Sequence, residues 1–253
     1  MQPLFLRFLV VLMGWLDASV AWAEQPPVAL VFGIGSYDRG PDLPNARNDA
    51  QAIHMALSKA GYRSELVLDA TRDEALLALA RLRITATPAN QALIFFSGHG
   101  AIVNGQSYVF FRDSGLSASD AISSALPQAL LVKSIADRPR QKIILLDICR
   151  DNPWQGGEVP ASTPAWTQPG GVFLAHATQP GKPAYDGRNA LSPFTTALLE
   201  QLLYPPTSIE DFFRAVRLRV VQLTGGLQVP TTQSTLLYPT QLRPLRTPLP
   251  KTE

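Results

Sequence analysis

The sequence predicts an α/β fold, a parallel sheet with helices packed on both faces. Three observations point there. Strand-like and helix-like segments alternate along the chain, most strand-like segments are continuous apolar runs, and glycines cluster where those runs end. A strand buried on both faces has no polar side to show, so it reads as an unbroken apolar run and not as an alternating one.

Val28 to Phe32 is the first such run, closed by Gly33 and Gly35, and the turn-rich stretch SYDRGPDLPN follows it. Ala46, Ala50, Ile53 and Leu57 then form a helical stripe that stops at Gly61. RSELVLDA is a second strand. TRDEALLALARLRITA, from Thr71, is a second helix with Thr71 and Glu74 in capping-box register. QALIFFSGHG is a third strand ending in glycines, and SYVFFRD is a short extension or hairpin. PQALLVKSIADR predicts a helix over 127–138 with Pro127 at its start. KIILLD is the fourth strand and GGVFLAHATQ the fifth. Helices follow over 192–203 and 208–223, and TTQSTLLY is a last strand. No internal repeat is found, and the Pro-rich residues 241–253 read as a frayed tail.

The N-terminus reads as an export signal. Arg7 precedes the apolar run Phe8 to Leu16, which is too short to span a bilayer, and Ala21-Trp22-Ala23 offers a cleavage site. Residues 1–23 are therefore expected to be removed and the protein to be periplasmic or secreted; left uncleaved, the same segment would anchor it to a membrane. No cysteine lies near the junction, which excludes a cysteine-linked lipid anchor. The remaining residues suit one domain, over 24–240, large enough for a full core. A net charge of +2 without a basic run argues against a nucleic-acid partner.

Cys149 is the only cysteine. In an exported chain an odd thiol is either a buried small hydrophobe or a reactive group, and its type alone leaves both open. It ends the fourth strand, and the long stretch 152–169 follows it. If the strand order is 2-1-3-4, it reverses between strands 1 and 3. The segments LPNARND, SGHG and DICRD would then line one crevice at the carboxyl ends of the strands. His99, between two glycines, and Cys149 would end neighbouring strands. A thiol with an imidazole in reach is what nucleophilic acyl transfer requires, and the backbone N–H groups of Gly100 and Cys149 are candidates for an oxyanion hole.

FFSGHG and LLDICRDNPW, with His99 about 50 residues before Cys149, resemble the two active-site segments of caspase-like peptidases. They are most similar to the bacterial and metacaspase branches and differ from the Q-A-C-R-G of true caspases. LPNARNDAQAI, ATQPGKPAYDGRNALSPFTTALL and GGLQVPTTQST resemble further segments of these domains, so the likeness spans residues 27 to 238. It implies a three-layer αβα sandwich with a mainly parallel, about six-stranded sheet, and peptide hydrolysis through a thioester. It assigns the catalytic histidine to His99, the nucleophile to Cys149 and the oxyanion donors to Gly100 and Cys149. A third catalytic side chain is not required, because a backbone carbonyl can orient the imidazole.

The resemblance places Asp49, Ser97 and Asp147 in the first substrate pocket, where two carboxylates would take Arg or Lys. Arg47 and Arg150 lie close in sequence, and either would neutralise a carboxylate. Asp49 could equally complement a helix N-terminus, and Asp147 could tie a strand end. Many metacaspases need calcium, but Asp113, Asp120 and Asp186 are scattered, so no obligatory metal or other cofactor is expected. His54, His99, His176 and Cys149 lack zinc-ligand spacing. The expected function is cysteine endopeptidase action on a peptide or protein with a basic residue at the cleavage site. The alternative is a catalytically silent binding or scaffolding module of the same fold. A thiol-redox role is opposed by the lack of a second cysteine. Arg150 and Lys182 bracket the long loop as conceivable self-cleavage points.

Overall fold

The elements run in chain order as β1 (Val28–Gly33), α1 (Pro44–Lys59), β2 (Arg63–Leu68), α2 (Arg72–Thr85), β3 (Gln91–Ser97), β4 (Gly100–Val103), β5 (Gln106–Val109), β6 (Leu126–Pro127), α3 (Gln128–Lys133), β7 (Gln141–Asp147), β8 (Val172–His176), α4 (Pro193–Leu202), α5 (Ile209–Thr224) and β9 (Thr231–Ser234). They come from a computed structural model, which describes residues 25–245 apart from 89–90, 116–119, 121–122, 136–138, 152–168, 188–189 and 207. The expected leader over 1–23, nearly all of the stretch 152–169 and the end of the Pro-rich tail lie outside the described residues.

Six strands form one sheet in the order β2-β1-β3-β7-β8-β9. All neighbours are parallel except β9, which runs antiparallel to β8. The expected order of the first four strands and its reversal between β1 and β3 are therefore observed. The continuous apolar runs have their predicted cause. In β1, Leu30 and Phe32 pack with Ala75, Ala78, Leu79 and Leu82 of α2 on one side of the sheet. Ala29 and Val31 belong to the opposite core, with Ile53 and Leu57 of α1, Phe194 and Leu198 of α4, and Phe212, Phe213 and Val216 of α5. Each successive side chain of a strand enters a different core. The layers are helix, sheet, helix, as the sequence predicted.

Local signals hold at several element ends. Thr71 and Glu74 form the capping box, with the Glu74 N–H donating to the Thr71 hydroxyl and the Thr71 N–H donating to the Glu74 carboxylate. Ser208 caps α5, which ends at Gly225 in the left-handed conformation. Three details differ from expectation. The third strand stops at Ser97, and Gly100 already belongs to β4 of a separate three-stranded antiparallel sheet, β4-β5-β6. The helix expected over 127–138 is only α3, because Pro127 is paired with Tyr108 in β6 and Ser134 closes the last turn with its hydroxyl on the Leu131 carbonyl. The last strand ends at Ser234. Among the described residues no helix is long and apolar enough to cross a membrane.

Gly33 marks the tightest approach of α1 to the sheet. A Cβ there would lie 2.5 Å from the Ala50 Cβ and 2.7 Å from the Ala46 carbonyl oxygen. Gly33→Ala is expected to cost about 1–3 kcal/mol by overpacking, which at this chain length lowers Tm by about 2–4 °C for each kcal/mol. A thermal melt reads this, and an unchanged Tm would show that α1 can shift away freely.

Candidate active site

Three neighbouring parallel strands end in one row. Gly33 of β1 is in register with Ser97 of β3, and Ser97 with Asp147 of β7. Two residues further on, these chains carry Gly35, His99 and Cys149. Strands lie about 4.8 Å apart, so the equal offsets carry His99 and Cys149 to the same end of the sheet. The ladder runs slightly past the row, with the Ile34 N–H on the Ser97 carbonyl and the Gly98 N–H on the Asp147 carbonyl. Asp49, Ser97, His99, Asp147 and Cys149 all line one cleft at this end of the sheet. Gly100 does not line it; its place is at the start of β4, packed so tightly that a Cβ would lie 2.7 Å from the Ile148 Cβ.

His99 is held by main-chain and ring contacts. Its Nε2 lies 2.8 Å from the Pro41 carbonyl oxygen. A carbonyl only accepts, so Nε2 carries the proton, and a neutral imidazole then has its lone pair on Nδ1. This is the orienting carbonyl anticipated from sequence. Burial lowers the His99 pKa, opposed by the Pro41 hydrogen bond and by Asp186 and Asp42. The Cys149 Sγ–H donates to the Ala184 carbonyl at 3.7 Å and not to the imidazole. Burial pushes the thiol up to about 11, and Asp151, Asp147 and Asp186 add to the rise. Both shifts favour the neutral forms, thiol and imidazole.

The floor of the cleft is acidic. Asp49 and Asp147 are 1% and 6% exposed. Ser192, the N-cap of α4, touches both: its N–H donates to Asp49 Oδ1 at 2.9 Å and its hydroxyl to Asp147 Oδ2 at 2.5 Å. The Ser97 hydroxyl donates to Asp49 Oδ2 at 3.2 Å. Burial pushes the Asp49 carboxyl up to about 7. Asp147 is raised well above the usual carboxylate range, first by burial and then by Asp49. The two neighbouring arginines do not neutralise the pair. Arg47 binds Asp69 at 3.0 Å. Arg150 is 4% exposed and bonds the Thr231 hydroxyl. Its main chain pairs with Gly181 and Lys182, a fully tied backbone that does not suit a self-cleavage point.

Two residues of the cleft escaped the sequence reading. Asp186 lines it and acts on His99, Asp49, Asp147 and Cys149, yet in sequence it stood among scattered acids. Ser192 read only as a helix start. Its N-cap position was the available signal, since a capping serine at a strand-to-helix turn faces the carboxyl end of the sheet. The other two histidines lie elsewhere: His54 Nδ1 bonds the Ser64 hydroxyl, and His176 Nε2 bonds Gln128 in the core. Among the described residues no group of three or more His, Cys, Asp or Glu is arranged to hold a metal ion.

The raised carboxyl of Asp49 makes a signed prediction. The folded protein binds this proton up to about 7, whereas the unfolded chain releases it near 4. Its contribution to stability is complete below the unfolded value and is lost as pH rises toward 7. Thermal melts across pH 4–8 are expected to show a smaller fall for Asp49→Asn than for the parent, by about 2–4 °C or more. Parallel curves would mean that Asp49 is ionised throughout.

Comparison with known proteins agrees with this geometry. The model of the caspase domain family matches residues 27–240. Caspase-1 from Spodoptera frugiperda superposes with a TM-score of 0.68 at 16% identity, covering 89% of this chain and 93% of that one. A protein from Geobacter sulfurreducens superposes with a TM-score of 0.62 at 14% identity, covering 82% and 93%. At such identities the two structures speak for the fold alone. No curated protein is similar in sequence. A family model that spans nearly the whole described chain supports a cysteine-peptidase type of function on protein substrates, and the chain belongs to the caspase-domain family.

Proposed function

We propose that the protein is an exported cysteine endopeptidase in which Cys149 and His99 form the catalytic dyad and the acidic floor selects Arg or Lys. One observation carries the specificity: Asp49 and Asp147 are buried in the same cleft as His99 and Cys149, and the neighbouring arginines point elsewhere. Two buried carboxylates with no cationic side chain bonded to them among the described residues form a site that gains by accepting a cation.

In this reading the thiol leaves the Ala184 carbonyl and turns to His99 when substrate binds. Nδ1 takes the Sγ proton as the sulfur attacks the scissile carbonyl. The Cys149 N–H receives the developing oxyanion; Gly100, outside the cleft lining, is left out of this role. Collapse breaks the C–N bond, the imidazolium protonates the departing amine, and a thioester remains. Water, deprotonated at Nδ1, attacks the thioester. The acid product leaves, and the proton returns to sulfur.

A second reading, a silent module that binds basic peptides without cutting them, draws on the Ala184 contact, which holds the thiol away from the imidazole. Purified protein lacking residues 1–23 separates the two on fluorogenic peptides ending in Arg, Lys or Asp. Turnover is expected after Arg and Lys and is expected to vanish in Cys149→Ala without a change in Tm. Asp147→Asn is expected to lower kcat/KM on the Arg peptide by about a hundredfold, the usual effect of removing one partner of a buried charge contact. Cleavage after Asp alone would sink the specificity. A Cys149 that a basic peptidyl chloromethylketone leaves unlabelled would favour the silent module.

A further inference from the structure

We propose that Tyr37 is the positioning residue of the dyad, holding the His99 main chain with its hydroxyl and the imidazole with its ring. The inference rests on His99 and Cys149 acting together, as proposed above, and goes beyond it by naming what fixes the base.

Tyr37 lies in the loop between β1 and α1 and is 7% exposed. Its Oη accepts the His99 N–H at 2.7 Å. Its ring sits against the imidazole, with centroids 4.5 Å apart and planes at 49°. The same loop supplies the Pro41 carbonyl that holds Nε2. One loop therefore grips His99 at its amide, its ring and its distal nitrogen. From the other side the His99 carbonyl accepts the Phe110 N–H. An imidazole held in this way has little freedom to rotate, and Nδ1 stays on the cleft side.

The loop itself is anchored. Asp69 accepts the N–H groups of Gly35 and Ser36 at 2.8 and 3.0 Å and also holds Arg47. Asp42 accepts the Tyr37 N–H at 3.0 Å. Tyr37 explains a sequence feature as well. A Cβ on Gly98 would stand 2.8 Å from the Tyr37 Oη and 3.1 Å from the Phe96 ring, so the residue before the histidine is glycine because the tyrosine occupies its space. These contacts form a built support that extends well past a helix-start loop.

A double-mutant cycle tests this. The quantities read are kcat and KM on the Arg peptide and the rate of Cys149 alkylation by an Arg-peptidyl chloromethylketone, which occupies the floor as a substrate would, for the parent, Tyr37→Phe, His99→Ala and the double variant. Tyr37→Phe keeps the ring and removes the hydroxyl. It is expected to lower kcat by about five- to tenfold, the worth of one hydrogen bond, with KM within about twofold of the parent. Alkylation is expected to slow in step. In the His99→Ala background Tyr37→Phe is expected to change nothing further, because its effect runs through the imidazole. Asp42→Asn, which loosens the loop without touching the tyrosine side chain, is expected to move kcat the same way. An equal loss from Tyr37→Phe with and without the imidazole assigns the hydroxyl to the fold and overturns the proposal, as does an unchanged kcat. If His99→Ala alone leaves alkylation at the parent rate, the dyad fails and Tyr37 loses its role with it.

Discussion

Gly33, Ser97 and Asp147 end three parallel strands in one row, and the cleft depends on that register. A shift of one residue in any of these strands would turn its side chains to the other core, since alternate residues of the sheet belong to opposite faces. The apolar runs therefore lock the positions of the polar residues that follow them. Gly33 lets α1 start close to the sheet, which brings Asp49 down onto the row. The N-cap of α4, a helix in the same layer as α1, presents Ser192. The chemistry is assembled from residues that lie just past the end of regular structure, each on a rigid support.

The acidic floor is the costly part of this arrangement. Two carboxylates that share one serine cannot both be ionised cheaply in a buried place. Their hydrogen bonds lower the cost without removing it: Asp49 has Ser97 and the Ser192 amide, Asp147 has the Ser192 hydroxyl, and both acids remain raised. Arg47 and Arg150 are close enough in sequence to neutralise the pair. Each is instead committed to a different element, Arg47 to Asp69 and Arg150 to the edge near β9. Among the described residues no cationic side chain is bonded to either acid, which supports the proposed reading of the floor as a site for a basic side chain.

The fold and the shared placement of His99 and Cys149 were legible because both are written in local patterns. Buried parallel strands produce unbroken apolar runs, and the residues that end them, His99 and Cys149, sit in short glycine- and aspartate-marked segments. Asp49, Ser97 and Asp147 were legible through the same segments, and the structure brings all five to one cleft. What stayed hidden depends on contacts across the sheet. Asp186 sits on a turn-rich stretch where an acid carries no periodic signal, and only its place in the cleft with His99 gives it meaning. Ser192 looks like any helix cap until its hydroxyl is seen on Asp147. The Tyr37 contact joins residues 62 positions apart through a hydroxyl and an amide, which no residue pattern encodes. The length of α3 was misjudged for a related reason: Pro127 reads as a helix start, and its pairing with Tyr108 is a tertiary fact.

The same acids bear on the nucleophile. Asp147 and Asp186 help hold the Cys149 thiol protonated, beside the larger effect of burial, and burial favours the neutral form of His99 as well. An ion pair preformed between sulfur and imidazole is therefore disfavoured, and the thiol bonds the Ala184 carbonyl. On the proposed reading, a basic side chain entering the floor cancels the negative field that opposes the thiolate. It also displaces water and strengthens each remaining electrostatic contact. Binding and activation are then linked through Asp147, which faces the substrate charge on one side and precedes the nucleophile by two residues on the other. Such a link favours reaction with the substrate that fits the floor and leaves the resting thiol comparatively inert.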